Sequence, residues 1–164
     1  MKHFILILFI CAAFSCEEEF YSTIPTAPVK LTLNLNTYDY HLNTSLAYSV
    51  FSEKNYPEER PLPAALDRFG YGGLLIINGI GAGTVNLYAY DLACPNEATR
   101  SALIMPENIS ETGIPTAITA KCSKCGAIYH ISDGTGAPQS GSKYYLRTYR
   151  VMPTTSGGEY WVIQ

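Results

Sequence analysis

Three features of this 164-residue chain predict an all-β fold. Apolar and polar residues alternate in short runs, helical periodicity is nearly absent, and Gly/Pro-rich turn signals separate the runs. Together they indicate an antiparallel β-sandwich or barrel. The run "VKLTLNL" (29–35) sets Val29, Leu31, Leu33 and Leu35 against Lys30, Thr32 and Asn34, the pattern of a half-buried strand. "LAYSV" (46–50) alternates in the same way. Residues 52–72 hold three prolines and read as a long loop, with one helical turn expected near 63–69. "GLLII" (73–77) is continuously apolar, which suits a strand buried on both faces. "GIGAG" (79–83) has the glycines of a dinucleotide loop, but a strand and not a helix follows, so it predicts a hairpin turn. In "TVNLYAYDL" (84–92), Val85, Leu87 and Ala89 are expected on one face, and Asn86, Tyr88 and Tyr90 on the other. Further strands are predicted at 101–105, 116–121, 127–131, 144–151 and 159–163, between the turns "LACPNEA", "ENISETGIP", "SDGTGAPQSGS" and "TTSGG".

The N-terminus predicts an export route. Lys2 and His3 precede an apolar run, Phe4 to Phe14, too short to span a bilayer but right for a signal-peptide core. It ends in Ala13-Phe14-Ser15-Cys16, which resembles a bacterial lipobox with Cys16 as the lipidated residue. Residues 1–15 then form a signal peptide, 16–28 a lipidated cysteine with an acidic, Pro-containing tether, and 29–164 one domain. Glu17, Glu18 and Glu19 keep the tether in water. They also resemble the acidic tag of lipoproteins that some Gram-negative bacteria carry to the cell surface. The expected location is the cell envelope, on an outer-membrane lipid anchor, with the membrane as a partner and surface exposure left open.

Net charge is −3, and three of the fourteen acids are Glu17 to Glu19, so the domain itself is near neutral. The absence of a basic patch argues against nucleic acid as a partner. Cys11 leaves with the signal and Cys16 carries lipid, which leaves Cys94, Cys122 and Cys125. Three is an odd number: one disulfide would strand a thiol, whereas a metal could use all three.

The informative stretches are "YDLACPNEA", with Cys94-Pro95-Asn96, and "KCSKCGAIYH", with Cys122-x-x-Cys125-Gly126 and Tyr129. With "ISDGTGAPQSG" and the closing "LRTYRV…GGEYWVI", they resemble the Rieske family of iron–sulfur domains over roughly residues 73–164. The resemblance implies a Rieske-like antiparallel sandwich or barrel with a small cluster-binding loop subdomain. In that family two Cys hold one iron of a [2Fe–2S] cluster and two His hold the other. By position Cys94 and Cys122 match the two Cys, while Asn96 and Cys125 stand where the His should be. Gly141-Ser142 replaces the family's frequent Gly-Pro.

The resemblance therefore implies a [2Fe–2S] centre at Cys94, Asn96, Cys122 and Cys125, with electron transfer to a redox or envelope-protein partner if the cluster is kept. The alternative is a cluster-less surface binding or structural module. A Cys94–Cys122 disulfide, or zinc on Cys94, Cys122, Cys125 and His130, would then replace the cluster. No Ser stands in a nucleophile-elbow pattern and the carboxylates are scattered, so no independent catalytic activity is expected.

Overall fold

In the computed structural model the residues described are 21–56, 60, 67–81, 83, 85–111 and 113–164. The stretch read as a signal peptide, the expected lipidation site Cys16 and the Glu run lie outside them. The first strand, β1 (Val29–Asn34), is the alternating run, with Val29, Leu31 and Leu33 buried. A 3-10 turn (Tyr40–Asn43) leads to β2 (Tyr48–Phe51), then β3 (Arg68–Phe69), β4 (Leu74–Asn78) and β5 (Leu87–Asp91). Next come β6 (Ile104–Pro106), β7 (Thr119–Cys122), β8 (Ile128–His130) and β9 (Pro138–Ser140). The chain closes with β10 (Thr148–Pro153) and β11 (Glu159–Ile163).

These strands form two antiparallel sheets. The larger has seven, in the order β2-β4-β5-β10-β11-β1-β3, and the smaller has four, β6-β7-β8-β9. The larger sheet curls into a near-barrel. Its two edge strands approach through an aromatic chain in which Tyr56 packs against Phe51 of β2 at 6.2 Å and Phe69 of β3 at 5.9 Å between ring centroids. Arg60 lies over Tyr38, Phe51 and Tyr56. It forms a buried ion pair with Asp39 and donates from Nη2 to the Thr32 carbonyl at 2.7 Å.

Two cores result, and β4 explains why. Leu74 and Ile76 point into the barrel with Leu31, Leu33, Phe51 and Val162. Leu75 and Ile77 point outward into a second core beneath the small sheet, with Ile104, Tyr129 and Ile131. A strand covered on both faces has no use for polar alternation, which is why 74–77 is an unbroken apolar run. On β5 the expected one-sided pattern is corrected. Ala89 enters the barrel core, while Tyr90 on the opposite face is equally buried in the second, its hydroxyl donating to the Ile131 carbonyl at 3.0 Å. A tyrosine supplies the polar end this contact needs, so it reads as a surface residue until its partner is known.

Other expectations change as well. The helical turn near 63–69 falls partly outside the described residues, and its end is β3, paired with β1 through Arg68 and Lys30. The Gly-rich stretch after His130 contains β9. Residues 79–86 do form the β4–β5 connection, with the Gly79 N–H on the Asn86 carbonyl at 2.9 Å. Part of the stretch read as a tether packs on the domain: Ile24 and Ala27 are buried, and Arg147 Nε donates to the Ile24 carbonyl at 2.9 Å.

Candidate metal centre

Two loops and a turn build the site. The first loop leaves β5 at Asp91, whose buried carboxylate organises its base. Oδ2 accepts from the Tyr71 N–H and the Tyr149 hydroxyl, each at 2.7 Å, and Oδ1 from the N–H groups of Gly72 (2.9 Å) and Ala93 (2.8 Å). Gly72 is required there, since a Cβ would meet the Ala93 nitrogen at 2.7 Å. The chain then turns at Cys94. Its N–H bonds the Ala102 carbonyl at 2.8 Å, and its carbonyl accepts from Glu97 (3.1 Å) and Ala98 (2.9 Å).

The second loop is the β7–β8 turn. The Cys122 N–H donates to the Ala127 carbonyl at 2.8 Å, and the Gly126 N–H closes back on the Cys122 carbonyl at 3.1 Å. Gly126 has φ +75°, a left-handed conformation that glycine adopts at little cost. This tight turn aims the N–H groups of Lys124 and Cys125 at Cys122 Sγ, at 3.4 and 3.5 Å. Lys124 and Glu97 link the two loops through an exposed ion pair at 2.5 Å.

The sulfurs of Cys94, Cys122 and Cys125 all lie within 4.8 Å of one another, with Cys94 and Cys125 at 3.7 Å. Cys94 and Cys122 are buried and Cys125 is exposed. Burial pushes the Cys94 thiol up to about 12, against the Tyr129 hydroxyl and the Asn96 N–H, which favour its thiolate. Cys125 moves the other way. Burial is the largest single influence and raises it, but it is outweighed by the combined hydrogen bonds from the Ala127 N–H and from the Cys122, Cys94 and Asn96 side chains.

No family model and no curated protein matches the chain. A solved structure, the complex of reduced oxygenase and oxidized ferredoxin in carbazole 1,9a-dioxygenase, contains a chain similar to this one at 16% identity. The match covers 82% of this chain and 93% of that one, with a TM-score of 0.42. A likeness at this level says nothing about chemistry.

The fold brings the three cysteines together, as the resemblance implies, and places the other predicted site residues differently. Asn96 Nδ2 donates to the Gly141 carbonyl at 2.7 Å, while its Oδ1 accepts from Ser142 Oγ at 3.1 Å. The Gly141 carbonyl can only accept, which fixes the amide's orientation and points an N–H, not an oxygen, toward Cys125 Sγ at 3.8 Å. Asn96 is thus a hydrogen-bond donor to sulfur. Ser142, where a proline would have no hydroxyl, holds Asn96 in place and accepts the Tyr144 N–H at 3.0 Å. His130 is not among the converging ligand atoms. It follows Tyr129 on β8, so the pleat turns it to the other face. Tyr129 faces the site, with its hydroxyl 3.5 Å from Cys94 Sγ. All three cysteines are free thiols, so the expected Cys94–Cys122 disulfide is not formed.

In the sequence Tyr129 and Ser142 stand out only as motif positions without a role at the sulfurs, and Asp91 is not singled out. The signal for Tyr129 was its position one residue before a conspicuous histidine, on the opposite side of the pleat. The fold also places His41 Nε2 2.6 Å from Ser49 Oγ, a pairing invisible in the sequence. Asp39, the acid nearby in sequence, is engaged by Arg60 and the Asn34 N–H.

Proposed function

We propose that this chain is a cell-envelope lipoprotein, anchored through Cys16, whose Rieske-like domain holds one thiophilic metal ion on the thiolates of Cys94, Cys122 and Cys125. The observation that carries the reading is the mutual approach of the three sulfurs within 4.8 Å. Around them stand the N–H groups of Lys124 and Cys125 and the amide of Asn96. Donors aimed at sulfur favour the charged form, which is the form that binds metal.

The group implied by the family resemblance fits this set poorly. A [2Fe–2S] cluster takes two ligands on each of two irons. Here three thiolates crowd one point, and the residue at the fourth position, Asn96, has its amide hydrogen-bonded at both ends. A tetrahedral ion with metal–sulfur bonds of about 2.3 Å sets its ligand sulfurs about 3.8 Å apart. The Cys94–Cys125 separation of 3.7 Å matches that edge. Zinc is the simplest occupant: it accepts three thiolates and leaves one position to an outside ligand. The chain's own part is to position the sulfurs, to donate hydrogen bonds to them, and to keep Cys94 and Cys122 away from solvent.

The test is metal content. Full-length protein purified anaerobically in detergent is expected to carry one equivalent of metal per chain and no acid-labile sulfide. Each of Cys94→Ala, Cys122→Ala and Cys125→Ala should reduce that content. Two irons with two sulfides would restore the cluster reading, and metal-free protein that takes up neither zinc nor cobalt would leave a cluster-less module.

A further inference from the structure

The first described residues do not leave the domain at an arbitrary place. Thr23 Oγ1 donates to the carbonyl of Pro95, the residue after Cys94. The Tyr21 carbonyl accepts from the Tyr145 N–H at 3.2 Å, and the Tyr21 ring packs on Tyr144 with centroids 6.2 Å apart. Tyr144 belongs to the turn that carries Gly141 and Ser142, the two residues that hold Asn96 over Cys125. The chain therefore enters the domain beside the metal centre.

Tyr21 lies only five residues beyond Cys16. Fully extended, they reach about 17 Å. A domain of this size has a radius of gyration of about 14 Å and is more than 35 Å across. The leash is thus shorter than the body it holds, and its point of attachment is at the site. We infer that the metal-centre end of the domain faces the phospholipid surface in which its own acyl chains are set, while the Thr154–Gly158 turn faces away. The inference rests on the anchoring of Cys16 proposed above. The far position of that turn follows from topology. Thr148 of β10 pairs with Tyr90 at the site end of β5, and β10 then runs away from the site to Pro153.

The side chains at the near end suit a headgroup layer. Tyr21 is exposed, Lys143 Nζ lies 5.2 Å above the Tyr144 ring, and the Arg100 guanidinium lies 4.8 Å above Tyr71. Tyrosines and lysines with apolar bodies and polar tips are the residues that settle at such an interface. Any partner for the bound ion is then membrane-borne, or small enough to enter the gap between domain and lipid.

The experiment uses lipidated full-length protein, zinc-loaded and ¹⁵N-labelled, in nanodiscs that contain a gadolinium-headgroup lipid. The amide signals of Gly126 and Gly141 should be lost to paramagnetic broadening while those of Gly157 and Gly158 persist. A Gly/Ser insert of about 20 residues between Glu19 and Phe20, about 25 Å in r.m.s. length, should abolish that difference. Equal broadening at both ends, or the reverse order, in a chain whose mass shows the lipid would overturn the orientation alone. A chain that carries no lipid would sink the anchoring reading and this one with it. Metal content is measured separately and decides neither.

Discussion

Cys94 and Cys125 are 31 positions apart, yet their sulfurs are 3.7 Å apart and their thiols are shifted in opposite directions. The buried sulfur resists ionisation, and the exposed one, ringed by donors, favours it. In metal-free reduced protein Cys125 should therefore alkylate first, at a pH below its ordinary value near 9, and Cys94 last. The sign follows from linkage. The Cys94 contribution to stability is fully present below about 9 and lost as pH rises toward about 12. The Cys125 contribution is present above its unfolded value and lost as pH falls through the lower folded one. Mass-resolved iodoacetamide labelling across pH checks the order, and faster labelling of Cys94 would contradict it.

Asn96→Ala should weaken metal binding by about 10- to 100-fold while leaving the fold intact, the usual effect of removing a hydrogen bond to a ligand. Competition with a chromophoric chelator measures this. With cobalt in the site, the visible spectrum should keep its position, because the amide donates to sulfur and does not touch the ion. A changed coordination spectrum would instead make Asn96 a ligand.

Asp91→Ala should destabilise the domain by about 3–5 kcal/mol, since it orphans three backbone N–H groups and the Tyr149 hydroxyl at once. Tyr149→Phe removes one of the four and should cost about 1–2 kcal/mol. Urea titrations of both variants should show this ranking. An Asp91→Ala midpoint equal to that of the parent would mean that the network does not hold the first loop.

Arg60→Ala should cost about 3–5 kcal/mol, because it leaves the Asp39 carboxylate buried without its partner. The metal site lies on another part of the fold, so metal stoichiometry should not change. Thermal unfolding with parallel metal analysis separates the two effects.

Much of the architecture could be read from residue order. The alternation of 29–35 and the closing strand at 159–163 are found as expected, because a strand with one buried face writes its period into the sequence. The continuous run at 74–77 correctly announced burial on both sides. Tyr90 did not, since a buried tyrosine looks like a surface one until its hydroxyl finds the Ile131 carbonyl. Two short strands were missed, β3 and β9. Each has only two or three residues, too few to show a period, and the partner strand alone defines them.

By itself the sequence determined the all-β class, the candidate export signal, and the three cysteines left once Cys11 and Cys16 are set aside, for these depend on local composition and spacing. Only the tertiary structure decided that the three sulfurs meet at one point, that Asn96 donates to sulfur, and that Tyr129 and not His130 faces the site. Those facts rest on contacts between segments up to 46 positions apart, as between Asn96 and Ser142. No local pattern encodes such a distance; packing of the small sheet on the outer face of β4 and β5 does.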